Sequence, residues 1–111
     1  MKASGVYVRD RWDITFQDRE DYYLLGVELK RVIYPQDIGE VVEDVAAVLN
    51  IYATLERKPV VVAGKMPCFL ACSLTSYLSN VFPEVYYHDK KLGLTVRVAG
   101  GKPGKLIGVK P

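Results

Sequence analysis

Long apolar stretches are missing from this chain of 111 residues. Runs such as Ile51–Leu55 and Val60–Ala63 fall well short of the roughly 20 residues needed to span a bilayer. No membrane partner is expected. Met1-Lys2-Ala3-Ser4-Gly5 puts no apolar core behind its lysine, so a secretory leader is not expected either, and the cytoplasm is. Histidine occurs once, as His88, and cysteine twice, as Cys68 and Cys72. That is too few groups for a metal-ligand set. On one helix the two cysteines share a face a turn apart, a poor geometry for a disulfide. They are expected to be small buried residues, as free cysteines usually are. Linkers, internal repeats and low-complexity tracts are also absent, so residues 1–111 read as a single domain.

Acid is missing from one end only. Residues 1–89 hold nine Lys/Arg and all thirteen Asp/Glu, a net −4. Residues 90–111 hold Lys90, Lys91, Arg97, Lys102, Lys105 and Lys110 and no acid, a net +6. A basic end on a mildly acidic body points to an anionic partner. Half the residues are hydrophobic and a quarter charged, the balance of a globular protein.

Gly5–Arg9 and Asp13–Gln17 are short β-type runs about a charged turn containing Trp12, either a hairpin or one irregular strand. Tyr22–Ile33 alternates in the manner of a strand. Pro35-Gln36-Asp37 then opens a helix, with Asp37 as its cap and Glu40 three residues on. Ile38, Val41, Val42, Val45, Val48, Leu49, Tyr52 and Leu55 keep the helical period. Glu40, Glu43 and Asp44 read as a solvated face near the positive end of the helix dipole. Val60–Ala63 has no polar side and reads as a central strand buried on both faces. Pro67 suits the start of a second helix running to about Asn80. Glu84–His88 and Leu94–Val98 are strands about an Asp89–Gly93 turn, and Leu106–Val109 is a last short strand. The order predicts an α/β fold: one compact domain with a mixed sheet and two main helices, its central strands joined by a parallel crossover.

Ligands of such sheets collect beyond the carboxyl ends of parallel strands. Two segments fall there. Gly64-Lys65-Met66-Pro67 combines a close-approach glycine, a cation and the start of a helix, which suits phosphate. It has neither the Walker nor the dinucleotide glycine spacing, and a plain strand-to-helix turn has the same sequence. Tyr87–Gly93 puts His88, Asp89, Lys90 and Lys91 close together. His88 is the one side chain whose ordinary pKa lies near neutrality. Neighbours on a strand point to opposite faces, so His88 and Asp89 need not act together. Tyr22, Tyr23, Tyr86 and Tyr87 fit core packing with a hydroxyl at the rim better than base stacking.

These segments resemble the small CRISPR-associated proteins of the Csx-three type. The likeness lies in the strand and Gly-x-x-Pro turn of Val60–Pro67, the helix to Asn80, and the hairpin Val85–Val98 with Asp89-Lys90-Lys91-Leu92-Gly93. It extends loosely to the first long strand and helix. The resemblance implies a Rossmann-like (CARF-like) domain that binds a cyclic oligoadenylate. It implies a ring nuclease, a phosphodiesterase cutting by in-line attack of a 2′-hydroxyl, in type III CRISPR antiviral defence. It also implies a homodimer, with two dimers able to enclose one ligand. Gly64, Lys65, Met66 and Pro67 are then the ligand-binding turn, with Lys90 and Arg97 beside it. Asp89 and Lys91 match the family's hairpin Asp and Arg. Asn80 stands where the family has a histidine, and His88 is the candidate to replace that histidine. Mn2+ or another divalent cation accompanies this expectation. A non-catalytic module for a cyclic nucleotide or short RNA is the alternative.

Overall fold

The computed structural model describes residues 4–8, 10–51, 57–102, 104 and 106–107. Its strands pair in the order in which they occur: β1 (Ser4–Val8), β2 (Trp12–Asp18), β3 (Tyr23–Leu29), β4 (Val60–Ala63), β5 (Val85–Asp89), β6 (Leu94–Ala99) and β7 (Leu106–Ile107). Strands β3, β4 and β5 are parallel, and the pairs on either side are antiparallel. The two helices are α1 (Ile38–Ile51) and α2 (Cys68–Leu78). This is an α/β fold with a mixed sheet. The sequential order contains no reversal of the kind that marks the switch point of a doubly wound sheet.

Alternation decides which strand face is buried. Trp12, Ile14 and Phe16 of β2, with Tyr23, Leu25 and Val27 of β3, enter one core cluster. Val41, Val45, Val48 and Leu49 of α1 and Leu70, Leu74 and Leu78 of α2 join the same cluster. The helices pack against each other, so both cover the same face of the sheet. Val60, Val61 and Val62 are all buried, as expected of a central strand. The first two β-type runs form a hairpin, with Trp12 inside β2 rather than in the turn. Tyr23 stacks on Phe16, with ring centroids 5.1 Å apart, in keeping with its packing role.

Three expectations are corrected. Asp37 does not cap α1 in the way expected. A 3₁₀ turn over Pro35–Asp37 precedes the helix, and Asp37 Oδ2 accepts from the backbone N–H of Tyr34 at 2.8 Å. That bond, then Arg11 at 2.7 Å, holds the Asp37 carboxyl below the usual aspartate range. Second, the acidic cluster is not simply solvated. Glu40 pairs with Arg11 at 2.6 Å, and Asp44 is buried, accepting from the Trp12 indole N–H at 2.8 Å. Third, Cys68 and Cys72 are exposed. The Leu70–Leu74–Leu78 stripe fills the core side of α2, and the cysteines lie two residues out of step with it. Tyr52 and Leu55 lie outside the described residues.

Candidate phosphate-binding basin

Because β3, β4 and β5 are parallel, their carboxyl ends reach the same edge of the sheet. Pairing of Ala63 with His88 puts the turn after β4 beside the turn after β5. A cavity of about 850 Å³ lies between them. Gly64, Lys65, His88, Asp89, Lys90 and Lys91 line it. The two segments singled out from the sequence therefore meet at one place.

The chain leaves β4 through a conformation that only glycine tolerates. Gly64 has φ +133°, and a Cβ there would stand 2.0 Å from the Val27 carbonyl oxygen. The turn is tied to β5 by Tyr87, whose hydroxyl donates to the Gly64 carbonyl at 2.7 Å. Burial, then the nearby Asp89 and Cys68, push the Tyr87 phenol up from its usual range. A neutral phenol is the form that donates this bond. After Pro67, α2 begins with its amide groups directed toward the same edge. The Leu70 and Ala71 N–H groups are taken by the Pro67 carbonyl, and the Cys68 and Phe69 N–H groups precede that first bonded turn.

His88 Nδ1 lies 2.9 Å from Thr95 Oγ1, which orients the ring and leaves Nε2 as its other edge. Asp89 Oδ1 accepts from the Leu92 N–H at 3.1 Å and shapes the turn, which closes on Gly93 at φ +68°. Lys65, Lys90 and Lys91 are exposed. The basin thus offers three ammonium groups and one imidazole against a single carboxylate, which is itself engaged.

Met66 and Pro67 line an adjoining cavity, which shares Gly64, Lys65 and Lys90 with the first. Arg97 does not line the basin. It pairs with Tyr86 across β5–β6, its Nη1 donates to Glu84 at 2.8 Å and its Nε donates to the Lys102 carbonyl at 2.9 Å. Asn80 does not join the basin either. It follows the carboxyl end of α2, donates to the Ser76 carbonyl at 3.2 Å and precedes β5. From Val85 to Asp89 the strand rises about 13 Å, so Asn80 belongs to the opposite edge of the same chain. The sequence reading missed the Tyr87 latch, although the alternation of β5 marks that side chain as facing α2. Among the described residues no three His, Cys, Asp or Glu side chains converge as a metal site. Mn2+ therefore finds no ligand set among these residues. Among the described residues, too, no helix is long and apolar enough to cross a membrane. No protein-family model matches the chain, and no curated protein matches it.

Proposed function

We propose that this protein binds a cyclic oligoadenylate in the cytoplasm, as a CARF-like ring nuclease of type III CRISPR antiviral defence. The observation that carries the reading is the convergence of Lys65, Lys90, Lys91 and His88 on one basin beside Gly64. A ring of phosphodiesters is a compact polyanion, and clustered ammonium groups with helix-start amides are its complement. In the cleavage step the ribose 2′-oxygen attacks the adjacent phosphorus in line. The P–O2′ bond forms and the P–O5′ bond breaks, giving a 2′,3′-cyclic phosphate and a 5′-hydroxyl. His88 Nε2 takes the 2′ proton, water protonates the leaving 5′ oxygen, and Lys65 and Lys91 hold the charge that develops on the phosphate. Asn80 reaches such a phosphate only from a second copy, so the working form is a homodimer or two dimers around one ligand.

A second reading, binding without cleavage, is favoured by two observations. Asp89 is committed to its own turn, and Asn80 lies at the far edge. Radiolabelled cyclic tetra-adenylate, incubated with the protein with and without Mn2+, separates the readings. Linear fragments that disappear with His88→Ala support cleavage, and intact retained ligand supports the binding module. Retention of single-stranded RNA in preference to the ring supports the RNA-binding alternative. No retention of either at moderate salt rejects all three.

A further inference from the structure

The sheet is open, and its two edges differ. An edge strand presents unpaired N–H and C=O groups, and proteins blunt such edges with short strands, lysine, proline or bulges. β7 is blunted: it is two residues long, and Lys102, Pro103, Lys105, Lys110 and Pro111 flank it in sequence. β1 has none of these devices. It runs five residues, Ser-Gly-Val-Tyr-Val, without charge or proline. Its register with β2 is unbroken from Ser4 opposite Gln17 to Val8 opposite Asp13. Among the described residues no strand pairs with its outer edge.

The sequence around β1 is complementary to itself. An antiparallel pairing with a second copy that overlaps all five residues is centred on Val6, with Ser4 opposite Val8 and Gly5 opposite Tyr7. Each copy then contributes the same groups, as a two-fold contact requires. Lys2 stands two residues before the strand and Asp10 two residues after it, so this register sets lysine against aspartate at both ends. No other symmetric register matches these two residues. Opposite charges across a strand pair stabilise it and fix its register, whereas like charges oppose it.

We propose that β1 is a docking edge for a second copy of this chain: the two β1 strands pair about a two-fold axis at Val6 and join both sheets into one. Such a pairing forms about four to six backbone hydrogen bonds. β1 runs parallel to β3, β4 and β5, so the joined sheet carries its two basins on opposite edges. Nine strand spacings, about 40 Å, separate one copy's basin from the other's Asn80. The contact is therefore distinct from the one that brings Asn80 to a phosphate, and it needs no ligand. Sedimentation of the ligand-free chain over a range of concentrations is expected to show a species of twice the chain's mass. In a Cys68→Ser, Cys72→Ser background, Val6→Cys should link two copies on oxidation with copper phenanthroline. Residues on the axis face their own copies at a Cα separation of about 5 Å, within disulfide range. Ser4→Cys alone and Val8→Cys alone should not link, whereas both in one chain should. Asp10→Lys should weaken the dimer about tenfold, because symmetry changes both ends at once, and Lys2→Asp added to it should restore the dimer. A monomer at every concentration, a dimer without the Val6→Cys link, or a charge swap that restores nothing overturns the β1 contact. A dimer held through the native Cys68 or Cys72 places the contact on α2 and overturns it as well. Each of these failures leaves the phosphate basin standing, because that is read by ligand binding.

Discussion

Trp12 is wholly buried, and its indole N–H has Asp44 as acceptor while Arg11 covers the ring at 4.6 Å. A residue placed in the early turns of a helix by its charge is thus held inside by a partner 32 positions away in sequence. The pairing joins β2 to α1 at the edge of the core. Removing one member of a buried pair strands the other, and the stranded group bears the desolvation cost. Asp44→Ala is therefore expected to lower stability by about 1–3 kcal/mol, whereas Asp44→Asn keeps an acceptor and should cost less. Urea denaturation followed by fluorescence reads this directly, because Trp12 is the only tryptophan. Equal stability of Asp44→Ala and the unaltered protein would show that the indole gains nothing from the carboxylate. Gly64 makes the complementary point about backbone. Its conformation and its closeness to the Val27 carbonyl leave no room for any side chain, so the basin is shaped as much by an absent Cβ as by the lysines.

Helix α2 shows what an element's composition conceals. From Met66 to Phe82 the sequence carries no charge, so no polar stripe announces the outer face. Size decides instead: Leu70, Leu74 and Leu78 bury more apolar area than Cys68, Cys72 and Ser76, and the leucine stripe faces the core. Both thiols are therefore expected to react with Ellman's reagent in the native protein, giving two equivalents without denaturant. Reaction of both only after unfolding would place the cysteines inside and contradict this packing. Elements whose faces differ strongly were legible in advance. The unbroken valines of β4 and the period of α1 as far as Leu49 appear where their patterns predict, and β3 alternates as expected but ends at Leu29, short of Ile33. The meeting of the two candidate segments was legible to the same degree. Gly64–Pro67 and His88–Lys91 meet because parallel neighbours must end at one edge, which follows from element order alone. Arg97 and Asn80 lie outside the basin of their own chain for another reason. Arg97 faces Glu84 and Tyr86 through the β5–β6 register, which shifts between Val85 and Tyr86, and no local pattern encodes that shift. Asn80 matches a motif position, but the length of β5 separates it from the basin.

Across the whole molecule, the charge asymmetry of the sequence becomes a local property of one edge. Lys90 and Lys91 come from the basic end, and Lys65 from the acidic portion, yet all three line the same basin. Arg97, also from the basic end, is spent on Glu84 instead, and Arg11, Lys30 and Lys58 are paired with Asp37, Asp13 and Asp18. Pairing thus engages these four cations away from the basin, while Lys65, Lys90 and Lys91 concentrate positive charge where the parallel strands end. Such a field binds by displacing counterions from a polyanion, and the displacement makes affinity fall as salt rises. Three phosphate contacts give a slope of about −2 for log affinity against log salt, taking ~0.7 per phosphate from single-stranded nucleic acid. Cyclic tetra-adenylate binding measured between low and moderate salt should show that slope. Each single Lys→Gln change at 65, 90 or 91 should make it shallower by about 0.7 while lowering affinity most at low salt. Arg97→Gln should leave the slope unchanged, because its guanidinium is already engaged by Glu84 and the Lys102 carbonyl. If Arg97→Gln instead flattened the slope as much as Lys91→Gln does, the ligand would lie across β6, outside the basin.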